Sequence, residues 1–189
     1  MNECSRYAAT KATNATVLIS AHYDSRGSFG SVRAPGANDD GSGTTGLLAI
    51  ARTIGRKGVK FHSNVELAFF AGEEQGLLGS RAYALELDHE GANITLMVQA
   101  DMIAHHVPDE PLQLGLPQLY LLLLVLVYAF KVLIWSPSIG TPEVTQLVSN
   151  ISSIYSPELT VGYTPVCIFV YLLTLPLIYS NRYAVVTIM

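Results

Sequence analysis

Charge is scarce in this 189-residue chain: only 14% of its residues are Asp, Glu, Lys or Arg, and the formal net charge is -4. Without a basic excess there is no electrostatic footprint for nucleic acid, so that class of partner is excluded. Cysteine is sparser still. Cys4 and Cys167 alone cannot define a disulfide framework. The first thirteen residues, Met1 to Thr13, are polar and small and lack the apolar segment of a secretory signal. A strand follows so soon after that a longer precursor is expected. Three glycosylation sequons begin at Asn14, Asn93 and Asn150, as suits a secreted protein. Histidine is absent after position 106, and after residue 118 charge nearly vanishes.

What is present is organised in alternating segments. Thr16 to Ala21 is β-branched and apolar and predicts a buried strand that delivers His22 and Asp24 at its end. The Gly-, Pro- and Ser-rich stretch from Ser25 to Gly43 predicts a long loop. A helix is expected from Ser42 to Arg56, with Leu47, Leu48, Ala51 and Ile54 on one face and Gly55 or Gly58 at its end. Val65 to Ala71 predicts a second strand, Gly76 to Leu87 a second helix, and Ile94 to Ala100 a third strand. Strand, helix, strand, helix, strand is the pattern of an α/β domain with a mostly parallel sheet. In such sheets ligands gather at the carboxyl ends of the strands, where every chemically notable residue of this chain falls.

Those residues are His22 and Asp24, Asp39 and Asp40, Glu73 and Glu74, and Asp101. One imidazole with several carboxylates is a hard, oxygen-rich set suited to zinc. Each pair also has a plainer reading. His22 and Asp24, two apart on extended backbone, are either a ligand and the partner orienting its ring or a strand-end histidine beside a solvated aspartate. Asp39 and Asp40 either flank a cation or form a loop in which Asp40 or Ser42 caps the next helix. Of Glu73 and Glu74, one can bind metal while the other accepts a proton, or both favour a helix N-terminus. Asp101 ends a buried strand, where it is a ligand or a hydrogen-bonded aspartate.

Taken together, "SAHYDS", "APGANDDGSG", "AGEEQGLLGS" and "QADMIA" resemble the di-zinc aminopeptidase family, which includes secreted bacterial and fungal leucine aminopeptidases and vacuolar aminopeptidase Y. The resemblance covers about residues 16 to 116. It implies a three-layer α/β/α fold with a mostly parallel central sheet, here incomplete at the C-terminal end. It implies release of N-terminal residues from peptides with a free N-terminus, and a secreted or vacuolar location. Residue by residue, it puts His22 and Asp101 on one zinc, Glu74 on the other, Asp39 bridging both, Glu73 as general base and Asp24 behind His22.

The chain also departs from that pattern. The family has a further histidine near the end of the domain, completing the zinc held by Glu74. His105 and His106 come too soon after Asp101 to match it and are expected in a loop beside the site. The reading is therefore two zincs in an intact family site, one tight zinc here, and impaired activity. Leu119 to Trp135 is almost wholly apolar, broken by Lys131, and sits at the lower edge of the roughly 17–25 residues that span a bilayer. Pro165 to Tyr179 is a second, shorter apolar run. Between them Thr141-Pro142-Glu143 opens a helix, with Val144, Leu147, Val148, Ile151 and Ile154 on one face.

A membrane anchor, a buried core helix and translated intron sequence compete to explain these runs. The last is favoured, because Leu116-Pro117 and Gly140-Thr141 would join naturally without the insert. The chain accordingly divides into a peptidase-like part (1–117), an apolar insert (118–138), a return to the domain (139–165) and an aberrant tail (166–189). Alternatives to a zinc aminopeptidase are a glutaminyl cyclase-like zinc enzyme, or a non-catalytic or membrane-anchored module on the same fold.

Overall fold

The computed structural model describes residues 1–28, 30–104, 108–109, 113–118, 142–165 and 184–188. Both apolar runs, 119–135 and most of 165–179, lie outside the described residues, as do His105 and His106. Ten elements are described: β1 (Glu3–Tyr7), β2 (Ala15–His22), α1 (Gly41–Lys57), β3 (Asn64–Phe70), α2 (Leu78–His89), β4 (Asn93–Ala100), β5 (Gln113–Gln118), α3 (Pro142–Tyr155), β6 (Thr160–Pro165) and β7 (Ala184–Ile188). Five strands form one sheet in the order β1-β3-β2-β4-β7, and β5 and β6 form a parallel pair of their own. β3, β2, β4 and β7 run parallel, while β1 lies antiparallel on the edge.

Alternation along the strands builds the layers. Leu18, Ala68 and Phe70 meet Tyr83, Ala84 and Leu87 of α2 on one face of the sheet. Ile19, Ala21 and Phe69, one residue out of phase, meet Leu47 of α1 on the other. An irregularity beside Thr16 and Val17 keeps this pattern in β4, where Ile94 pairs with Thr16 but Met97 with Leu18. The extra residue leaves Ile94 and Met97 on one face, as in other β-bulges. The result is a mixed, mostly parallel sheet between helices, the three-layer α/β/α arrangement expected from the sequence.

β1 is the strand that its composition hides, since Glu-Cys-Ser-Arg-Tyr is polar and largely exposed. It is required by Glu66, an acidic residue only 3% exposed inside β3. Arg6 stands directly opposite Glu66 in the antiparallel register, with Arg6 Nε 2.8 Å from Glu66 Oε2. The Tyr83 hydroxyl donates a hydrogen bond to the other oxygen. A buried carboxylate so paired avoids the heavy cost of an isolated charge.

Helix boundaries also follow local chemistry. Gly58, in the left-handed conformation, ends α1 and donates its N–H to the Ile54 carbonyl. Leu47 and Ile54 are buried as expected, but Leu48 is 53% exposed, because the buried stripe of α1 is narrower than its apolar face. α2 starts two residues later than expected, because Gly76 and Leu77 both have positive φ and close a turn first.

Candidate metal centre

Each prospective ligand is carried by a different strand end or connection, and the sheet converges them. His22 closes β2, and Asp101 directly follows β4. Asp39 precedes α1 across a cis Asp39–Asp40 peptide bond. His22 Nε2 lies 3.1 Å from Asp39 Oδ1 and 3.9 Å from Asp101 Oδ1. One donor atom from each of the three residues falls within 4.8 Å of the others, a grouping able to hold a metal ion. Glu73 Oε2 lies 4.0 Å from the same imidazole nitrogen.

Two features say that this grouping fits a cation. The imidazole is oriented by its far side, where Nδ1 lies 3.1 Å from the backbone carbonyl of Asp24 and donates to it. That leaves the lone pair on Nε2, the nitrogen facing the carboxylates. Second, His22 Nε2 and Asp101 Oδ1 are both buried without a hydrogen-bond partner. Buried polar atoms are nearly always satisfied, and two orphans facing one another from a nitrogen and a carboxylate would be satisfied by a cation between them.

The electrostatics agree. Burial opposes a charge on His22, but Asp101, Glu73, Asp40 and Asp39 outweigh it and hold the imidazole pKa above its ordinary value. Burial pushes the carboxyl of Glu73 up to about 7; His22 opposes the rise, and Asp101, Glu74 and Asp39 add to it. Asp101 is raised as well, first by burial. So many carboxylates around one imidazole repel each other unless a cation joins them.

Asp24 and Asp40 act as braces. The Asp24 carboxylate accepts hydrogen bonds from the backbone amides of Glu73 and Glu74, at 3.0 and 3.1 Å. Its closest carboxylate contact with the His22 ring is longer, 3.6 Å, so the backbone carbonyl rather than the side chain faces Nδ1. Asp40 is fully buried and caps α1 by accepting from Gly43 N at 2.8 Å. It also accepts from the amides of His22 and Met102 at 3.2 and 3.3 Å, tying the ends of β2 and β4 to α1. Gly43 permits this closeness: a Cβ there would lie 2.5 Å from both the Ala100 carbonyl and the Asp40 carboxylate. Thr44 completes the junction, its hydroxyl donating to the His22 carbonyl at 2.7 Å.

Glu74 stands apart from the His22 group. Its Oε1 accepts the backbone N–H of Arg26 at 3.1 Å, and Oε2 lies 3.7 Å from Arg26 Nε. Arg26 carried no signal in the sequence, since it lies in a polar loop with no spacing relative to the acidic pairs. Gly72, at φ 68°, and the turn behind it make the two glutamates diverge. Leu78 N reaches back to the Gly72 carbonyl and Gly79 N to that of Ala71.

The sequence model of Peptidase family M28 matches residues 6–118, and the chain belongs to that family. Among curated proteins it is similar to leucine aminopeptidase 1 of Paracoccidioides brasiliensis (strain Pb03), 37% identical over 98 residues, covering 49% of this chain and 25% of that protein. The matched segment thus spans about a quarter of the relative's length. Among solved structures it is similar in fold to a zinc aminopeptidase from Bacillus subtilis, with a TM-score of 0.68 at 20% identity, over 100% of this chain and 39% of that one. A glutaminyl cyclase from an Acidobacteriales bacterium gives a TM-score of 0.66 at 20% identity, over 98% of this chain and 57% of that one.

Proposed function

We propose that the chain carries the site of a zinc-dependent metallo-aminopeptidase, which removes N-terminal residues from peptides. The observation that carries this is the pair of buried, unpartnered donors, His22 Nε2 and Asp101 Oδ1, turned toward Asp39 with Glu73 beside them. His22, Asp39 and Asp101 would hold the zinc, with Glu74 on the side where intact relatives of this pattern hold a second. A zinc bound there supplies Lewis acidity, polarising the peptide carbonyl. Glu73 does the proton work. Its carboxylate, 4.0 Å from the His22 imidazole, is placed to take a proton from water as that water attacks the carbonyl, and to return it to the departing amine. Asp24 fixes the backbone from which Glu73 projects, and Asp40 fixes the ends of the strands. Peptide substrates and a secreted or vacuolar setting complete the reading.

A second reading, a glutaminyl cyclase-like enzyme, draws on one observation: a single three-residue group is found among the described residues, as suits one metal. No helix among the described residues is long and apolar enough to cross a membrane, and the apolar run 119–135 lies outside them.

The test is to assay the zinc-loaded chain on leucyl-p-nitroanilide and on a peptide beginning with glutamine, beside Glu73→Gln. Slow release of p-nitroaniline, lowered in Glu73→Gln by about 100-fold or more with zinc content unchanged, is the expected result. Cyclisation of the glutamine peptide without p-nitroaniline release would select the second reading. Zinc-loaded Glu73→Gln as active as the parent would overturn the assignment of the base.

A further inference from the structure

We infer that Arg26 is a cation built into the site: it holds Glu74 so that the chain supplies positive charge on that side, and the site takes one divalent cation rather than two. The inference rests on the reading of His22, Asp39 and Asp101 as metal holders and extends it to the other half of the acidic cluster.

The argument begins with charge. Asp39, Asp40, Glu73 and Asp101 surround a single imidazole and Glu74 adjoins Glu73 in the chain; such a set needs compensating positive charge. A cation between His22, Asp39 and Asp101 serves one side. On the other, Arg26 is the single lysine or arginine among the described residues that pairs with any of these five carboxylates. It does so twice, through its backbone N–H to Oε1 and its guanidinium to Oε2.

Glu74 is thereby fully engaged. Its own amide is tied to Asp24, both carboxylate oxygens face Arg26, and the side chain is only 14% exposed. The donor grouping that converges on His22 does not include it. A second divalent ion at Glu74 would have to displace Arg26 against like-charge repulsion. Among the described residues, His62 and His89 lie outside the donor grouping. The Arg26 side chain is 58% exposed, so replacing it leaves the core intact.

The experiment titrates the metal-free full chain with Co2+, followed by calorimetry and visible absorption, in the parent and in Asp101→Asn, Glu74→Gln, Arg26→Met and Arg26→Met/Glu74→Gln. The parent is expected to bind one Co2+. Glu74→Gln should keep that affinity within about threefold, well short of the roughly 10–100-fold lost when groups bracing a metal ligand are changed. Arg26→Met should gain a second, weaker Co2+ event that disappears in the double variant. Two ions of comparable affinity in the parent would overturn the role of Arg26 while leaving the metal site standing. So would a loss of tenfold or more in Glu74→Gln, or an Arg26→Met variant with no second event. Failure of the parent to bind Co2+, or Asp101→Asn binding as the parent does, would overturn the metal assignment and this inference with it.

Discussion

Asp24 shows how much of the site is held by residues that need not touch a reacting atom. Its carboxylate fixes two successive amides, those of Glu73 and Glu74, while its carbonyl orients the His22 ring. Replacing it by alanine should therefore free the glutamate turn while leaving the backbone carbonyl in place. The expected outcome is a fall in kcat of about 10–100-fold with the metal still bound, measured by steady-state kinetics and metal analysis together. A change confined to KM would mean that the turn does not depend on Asp24. At this scale the sequence was eloquent about residue types but not about partners. That His22, Glu73 and Asp101 come together is legible because they close or follow three parallel strands, whose carboxyl ends share one edge of the sheet; Asp39, in the loop before α1, is assigned a role only by the family resemblance. The Arg26 contact with Glu74 is not legible, because it joins positions 48 apart across a loop whose course composition does not specify.

The elements matter because they aim these side chains. α1 does so through Leu47, fully buried against Ala21 and Ala100, the residues that precede His22 and Asp101. Leu47→Ala should destabilise the protein by about 2–5 kcal/mol, the range for a buried leucine truncated in a rigid core. Denaturant unfolding measures this, and a loss under about 1 kcal/mol would mean that α1 is not anchored where described. β2, β3 and β4 are readable from sequence because apolar, β-branched runs in a buried parallel sheet admit no other role. β1 is not, because an edge strand with polar residues looks like a tail until Glu66 is seen to need Arg6. The ends of α2 shift for a similar reason: the amides of Gly76 and Leu77 bond back to the Glu73 carbonyl, and those of Leu78 and Gly79 to Gly72 and Ala71, which no local pattern announces.

For the molecule as a whole, the concentration of carboxylates has a consequence for stability. Burial raises Glu73 and Asp40 to about 7, and His22 is held above its ordinary value by the carboxylates around it. Folded pKa values above the unfolded ones mean that the folded state retains protons that the unfolded chain has released. For the carboxylates this contribution is complete below about pH 4 and is lost as pH rises through 7. For the imidazole it is complete below about 6.5 and lost above that, in the same direction. Chelator-treated protein should therefore show a lower urea midpoint at pH 8 than at pH 5.5, and zinc added at pH 8 should restore it by binding the folded state. A chelated protein more stable at pH 8 than at pH 5.5 would mean that these groups are not buried together.

The central claim, that His22, Asp39 and Asp101 hold a zinc, is most directly tested by a zinc-edge anomalous difference map from crystals of the full chain grown with zinc. One peak enclosed by His22 Nε2 and the Asp39 and Asp101 carboxylates is the expected result. A map without a peak there, or with the imidazole and Asp101 hydrogen-bonded to protein groups instead, would contradict it.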